Sequence, residues 1–162
     1  MSKDIRKMIY MVKNFKEFLN EDKLNINTKV VDKNGEPLIM YHGGSYSGGE
    51  FKGAGWFTTS KEDAKYYAKQ NNGILTKAHL IVKTPLYTGN IKHLNIKPTK
   101  EMLESIKKRK LNIRIENGVI PFIEANEGVL IAIDIGRDGV IDLVDGQILD
   151  VVIFDNNQIV LI

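Results

Sequence analysis

A chain of 162 residues with 43% hydrophobic content can bury one core of its own, and its formal net charge of +3 gives a mildly basic balance. The absence of cysteine excludes disulfides, thiolate metal sites and a cysteine nucleophile, and it suits a reducing compartment such as the cytoplasm. No apolar run approaches the roughly 18 residues that a membrane span requires, so no membrane partner is expected, and so small a charge fits an unspecialised soluble surface better than a dedicated nucleic-acid binder.

At the start of the chain Ile5, Met8, Ile9, Val12, Phe15 and Leu19 recur at spacings of three and four, the period of an amphipathic helix over residues 4–20. The segment lacks the apolar core and small-residue cleavage site of a secretory signal. Within it, Met11-Val-Lys-Asn-Phe-Lys-Glu-Phe-Leu-Asn-Glu21 resembles the short capsid-targeting leader of T-even-type phage internal head proteins. That resemblance implies cleavage after Glu21, packaging in a phage head and release into the host cytoplasm with the DNA. We therefore expect residues 1–27 to be a helix or leader and residues 28–162 to form one domain.

After the polar connector Asn25 to Thr28, Asn34-Gly35 between two apolar runs predicts a hairpin, because both residues tolerate positive φ. The second run ends in Tyr41-His42-Gly43-Gly44, which places His42 at a strand's end where the chain enters a glycine-rich loop. Gly55 to Thr59 reads as a short strand. Ser60 to Asp63 forms a capping box, with Ser60 capping a helix and Asp63 reaching back, and Ala64, Tyr67 and Ala68 make that helix's inward stripe. Trp56 and Tyr67, eleven residues apart, are either core aromatics or two faces able to clamp a flat ligand.

Further on, Ala78 to Tyr87 predicts a strand ending before Pro85, with His79 structural, and His93 falls in a loop. Thr99 to Lys110 predicts a helix whose Lys107-Lys108-Arg109-Lys110 run is either a solvated end complementing the helix dipole or a patch for nucleic acid or an acidic partner. Pro121 to Ile135 fits a helix by Phe122, Ala125, Val129 and Ala132, and a buried strand over Val129 to Ile133. Asp145-Gly146 predicts a turn, and Leu149 to Phe154 a strongly apolar strand, with Gln158 to Leu161 returning beside it.

Tyr41-His42-Gly43, Trp56-Phe57-Thr58 and Tyr67-Ala68 resemble the first two motifs of the diphtheria-toxin-like and poly-ADP-ribose-polymerase-like ADP-ribosyltransferases, which carry a His-Tyr-Glu signature. The resemblance spans about residues 28 to 162 and includes an Asp-Gly-Val-Ile strand start, Asp138 to Ile141, common in phage-type members. It implies that His42 and Thr58 contact NAD, His42 at a ribose, that Gly43 holds the nicotinamide carboxamide, and that Trp56 and Tyr67 bracket the ring. Trp56 stands where tyrosine is commonest, and Ala64 matches the toxin branch. Asp150, heading Asp150-Val-Val-Ile-Phe-Asp155, occupies the position of the catalytic glutamate and is one methylene shorter; Asp145 and Gln147 are the nearest alternatives. Thr58-Thr59-Ser60 is superficially similar to the Ser-Thr-Ser of the arginine-modifying branch, but His42 stands where that branch has arginine, and Ile148 replaces its second acidic or amide residue.

The implied fold is α+β: two small, bent, mostly antiparallel sheets around an NAD cleft, with flanking helices. The implied activity is mono-ADP-ribosyl transfer from NAD, with no metal, to a macromolecular acceptor, protein in the first instance and RNA as an alternative. Asp150 and His42 would be the catalytic residues. An NAD glycohydrolase and a catalytically dead NAD-binding module share the same residues and stand as rivals.

Overall fold

The computed structural model describes residues 26–44 and 54–162, and both the amphipathic segment at 4–20 and the leader-like stretch ending at Glu21 lie outside them. The predicted hairpin turn is present in a tighter form. Only Gly35 takes positive φ, at 80°, because the Asp32 carboxylate accepts from the backbone of Asn34 at 2.7 Å and Glu36 at 3.0 Å and does the rest of the turning. Its arms meet in a single bridge, Val31 to Pro37.

Strand β1 then runs over Met40–Gly44, so His42 sits in mid-strand two residues short of its end. Strand β2, Gly55–Thr58, leads into helix α1, Lys61–Gln70. Ser60 caps α1 by accepting from the Asp63 amide at 3.2 Å, but the expected return bond is absent, since aspartate is a methylene short of the glutamate that usually makes it. The inward stripe needs a second correction: Ala64 and Ala68 are buried, whereas Tyr67 is 57% exposed.

Strand β3, Ile74–Leu80, is followed by β4, Pro85–Asn90, so Pro85 opens a strand where the sequence predicted an end. Proline at a first strand residue forfeits no ladder bond that the fold needs. Asp138 secures this corner by accepting from the amides of Lys83 and Thr84 at 2.7 and 2.9 Å. Helix α2, Lys100–Lys108, is capped by Thr99, and the ambiguous stretch resolves into a two-residue strand β5, Phe122–Ile123, followed by helix α3, Ala125–Asp134. Ile131 and Ala132 are fully buried, which a helix achieves by directing one stripe at the sheet. Arg109 forks onto Asp134 at 2.6 and 2.7 Å and ties α2 to α3, so it is withdrawn from the basic run at the helix end.

The last strands are β6, Gly139–Val144, β7, Gln147–Ile153, and β8, Ile159–Leu161. Asp145 and Gly146, both at positive φ, make the two-residue turn between β6 and β7. Among the described residues, the eight strands join one sheet in the order β5-β4-β6-β7-β2-β1-β3-β8. This corrects the expectation of two sheets. The link is β2, which pairs with β1 through Tyr41 and Thr58 and with β7 over four residues, Gly55 to Thr58 against Ile153 to Asp150. Pairing is antiparallel except between β4 and β6, whose crossover carries α2, β5 and α3. One apolar cluster runs from Met40 and Leu80 through Val151 and Ile141 to Ile123 and Ile131.

Candidate active site

Strand register assembles the site from residues far apart in sequence. Tyr41 on β1 lies opposite Thr58 on β2, Thr58 opposite Asp150 on β7, and Asp150 opposite Asp142 on β6. Residues paired across strands point to the same face, so this row forms one continuous surface. At Asp142 and Leu143 the β6–β7 register slips by one residue, a bulge that redirects β7 immediately beside Asp150.

A cleft of about 390 Å³ opens over this surface, lined by Tyr41, His42, Gly43, Trp56, Phe57, Thr58, Ala64, Tyr67 and Asp150. Every residue that the sequence singled out for the site, His42, Gly43, Trp56, Thr58, Tyr67 and Asp150, therefore borders a single cavity. The alternatives to Asp150 lie away from it: Asp145 is in the β6–β7 turn, and Gln147 borders a different groove with Asp32 and Thr59.

The histidine is fixed by its neighbours. His42 Nδ1 lies 2.6 Å from the Trp56 carbonyl oxygen, which can only accept, so Nδ1 carries the proton and Nε2 is the acceptor nitrogen of the neutral ring. Phe57 packs beside the imidazole with ring centroids 5.3 Å apart. Gly43 has a steric reason to be glycine, because a Cβ there would meet the Ala64 carbonyl oxygen of α1 at 1.7 Å. That close approach brings α1, and with it Tyr67, over the strand. Trp56 is 37% exposed and Tyr67 57%, too open for core aromatics and suited to offering ring faces to a ligand.

Asp150 is half-buried, and the pKa of its carboxyl is raised from its ordinary value. Desolvation is the main cause; the negative charges of Asp142 and Asp63 add to it, and a hydrogen bond from the Thr58 side chain opposes it. The arrangement places a poorly compensated negative charge against one wall of an aromatic-flanked cleft. Such a wall favours any ligand group that becomes cationic.

The model of the family described as ADP-ribosyltransferase in polyvalent proteins matches residues 32–161. The chain belongs to this family. Its ADP-ribosyltransferase domain thus includes the hairpin turn, the cleft and all eight strands, and domains of this kind take NAD as substrate. No curated protein and no solved structure matches the chain. Among the described residues, no three His, Asp or Glu side chains converge as metal donors, and no helix is long and apolar enough to cross a membrane.

The sequence reading missed several neighbours of the site. Phe57 and Tyr41 line the cleft, and Asp63, read only as a capping residue, acts electrostatically on Asp150. Asp142 carries no local motif, and only the β6–β7 pairing brings it to Asp150. His79 is held by the Leu38 carbonyl at 2.8 Å, and His93 is exposed in a 3-10 turn, so neither joins the cleft.

Proposed function

We propose that the domain is a His-Tyr-Glu-class mono-ADP-ribosyltransferase, with Asp150 in the glutamate's place, that cleaves NAD and passes ADP-ribose to a macromolecular acceptor, protein in the first instance. The observation that carries this reading is the single cleft shared by His42, Gly43, Trp56, Thr58, Tyr67 and Asp150. Its volume falls within the range of small-molecule sites.

The chemistry follows from where charge moves. In NAD the nicotinamide is a cationic pyridinium, which the faces of Trp56 and Tyr67 attract, while the Gly43 backbone offers hydrogen bonds to the carboxamide without an intervening side chain. The bond between ribose C1′ and the ring nitrogen breaks, its electron pair leaves with nicotinamide, and positive charge appears on the ribosyl carbon and ring oxygen. Asp150 stabilises that charge, as carboxylates do in glycoside cleavage. His42 Nε2 accepts from a ribose hydroxyl, and the Thr58 hydroxyl orients the carboxylate. The acceptor then donates an electron pair to C1′ and loses its proton.

Delivery completes the reading. The likeness of Met11 to Glu21 to a capsid-targeting leader makes this a protein packaged in a phage head, cut after Glu21 and acting in the host cytoplasm. Mass spectrometry of purified virions checks that part, and a chain absent from them, or present uncut, counts against it.

Nicotinamide release from NAD by the purified protein, with and without bacterial lysate, tests the enzyme. We expect release to fall at least a hundredfold in Asp150→Asn, the order seen when an electrostatic stabiliser of a transition state is removed, and about tenfold or more in His42→Ala. Label from NAD transferred to lysate protein supports the transferase. Free ADP-ribose alone would identify a hydrolase, label on RNA the RNA-directed variant, and binding without turnover a dead module.

A further inference from the structure

Asp142 lies directly across the β6–β7 ladder from Asp150, and the ladder slips by one residue immediately after it. Like charges set opposite each other in a sheet repel and destabilise the pairing. Here it is built in. Thr88 on β4, paired in register with Asp142 and fully buried, donates its hydroxyl to Asp142 Oδ1 at 2.7 Å. The Thr88 methyl lies so close to α3 that a Cβ on Gly128 would meet it at 2.2 Å, so the threonine has a single packed position. Among the described residues, none of Asp63, Asp142 and Asp150 is in an ion pair.

We propose that Asp142 is a positioning residue for the reaction: fixed by Thr88, its charge keeps Asp150 facing the cleft within an anionic wall that favours a ribosyl cation over the intact glycosidic bond. The proposal rests on the assignment of Asp150 as the carboxylate that meets this cation. Its value is specific to a chain with aspartate at this position. A shorter carboxylate stands further from the reacting carbon, and a second charge behind it strengthens the field that the cleft presents. The ground state keeps its positive charge on the nicotinamide ring, held between aromatics, so the Asp142 field acts chiefly on the transition state and hence on kcat.

Tyr41 and His42 on β1 and Tyr67 on α1 share the cleft with Asp150, and Thr58 on β2, Asp63 on α1 and Asp142 on β6 act on its carboxyl. Removing the Asp142 charge therefore eases ionisation of Asp150 and moves the acid limb of the pH–rate profile to lower pH. The change between variants is the readout, since the other groups are common to all of them.

The test is the pH profile of nicotinamide release by the full chain for wild type, Asp150→Asn, Asp142→Asn, Asp142→Glu, Thr88→Val and Thr88→Ser, with thermal melts recorded alongside. In Asp142→Asn we expect kcat to fall about tenfold, KM for NAD to stay within about twofold, and the acid limb to shift down, with Asp142→Glu recovering most of kcat. Thr88→Val, which keeps the charge and removes its restraint, should lower kcat by a few fold, and Thr88→Ser should not. If Asp142 merely satisfies buried Thr88, Asp142→Asn will lower Tm yet keep wild-type kcat and the same acid limb at temperatures below the melt. That result overturns the proposal while Asp150→Asn remains inactive. If Asp150→Asn keeps wild-type release, or wild type releases none, the underlying assignment fails and the proposal falls with it. Should Asp142→Asn not fold, the Thr88 pair decides, and unchanged kcat in Thr88→Val overturns the proposal.

Discussion

Asp150 occupies a position that costs the fold something. Its carboxyl is raised above the ordinary value of 3.8 by burial, then by Asp142 and Asp63, so the folded chain holds this proton more tightly than the unfolded one. Stability contributed by the protonated carboxyl is therefore fully present below 3.8 and lost as pH rises through the higher folded value. Asp150→Asn, which removes the charge and keeps the shape, should consequently raise Tm at neutral pH, with the gain over wild type shrinking as pH falls toward 3.8. Thermal melts of both proteins across that range check this; a lower Tm for Asp150→Asn at neutral pH would show that the carboxylate's hydrogen bond with Thr58 outweighs the cost of burial and repulsion together. At this scale the cleft was legible where its parts are local. His42-Gly43, Trp56-Phe57-Thr58 and Tyr67 fall on short motifs, and the structure brings them to one cavity with Asp150. Asp142 was not legible, because its place depends on strand register and on a bulge that no short motif encodes.

The helix above the cleft depends on one missing side chain. Helix α1 can approach β1 only because Gly43 has no Cβ, and a methyl group there would lie 1.7 Å from the Ala64 carbonyl oxygen and 2.7 Å from the Ala68 amide nitrogen. These are backbone atoms of a capped helix and cannot move singly, so Gly43→Ala must push α1 away as a unit. Overpacking of this kind costs about 1–3 kcal/mol. Because Tyr67 rides on α1, we expect Gly43→Ala also to raise KM for NAD by about tenfold or more, the effect of losing one side of the ring clamp. Melting and steady-state kinetics check the two effects, and a variant with wild-type Tm would mean that α1 does not pack on Gly43 as described. The existence of α1 was readable from its cap Ser60, and that of α2 from the stretch Thr99 to Lys110 with its basic end. The chain around Pro85 was not, because a proline reads alike as a strand's end or its first residue, and here the Asp138 carboxylate, more than fifty residues away, sets the corner. Residues 121–135 were ambiguous for a related reason: an apolar run of that length serves a strand or a buried helix, and contact with the sheet decides between them.

For the molecule as a whole, the question is whether its two flanks are separable. The family resemblance led us to expect two sheets, but β2 joins β1 on one side and β7 on the other, and the apolar cluster continues beneath that junction through Phe57, Val151 and Ile141. Asp150 and Thr58 lie in the junction itself, so the cleft exists only while both flanks are paired to it. A shared ladder and a shared core make partial unfolding expose apolar surface on the part that remains, which is the physical basis of cooperativity. We therefore expect calorimetry to show one transition with calorimetric and van't Hoff enthalpies in a ratio of about one. Nicotinamide release should vanish over the same temperature interval as the far-ultraviolet signal. Two resolved transitions would instead show that the β1-β3-β8 flank and the β5-β4-β6-β7 flank melt independently, and activity lost with the first would place the weak seam at β2.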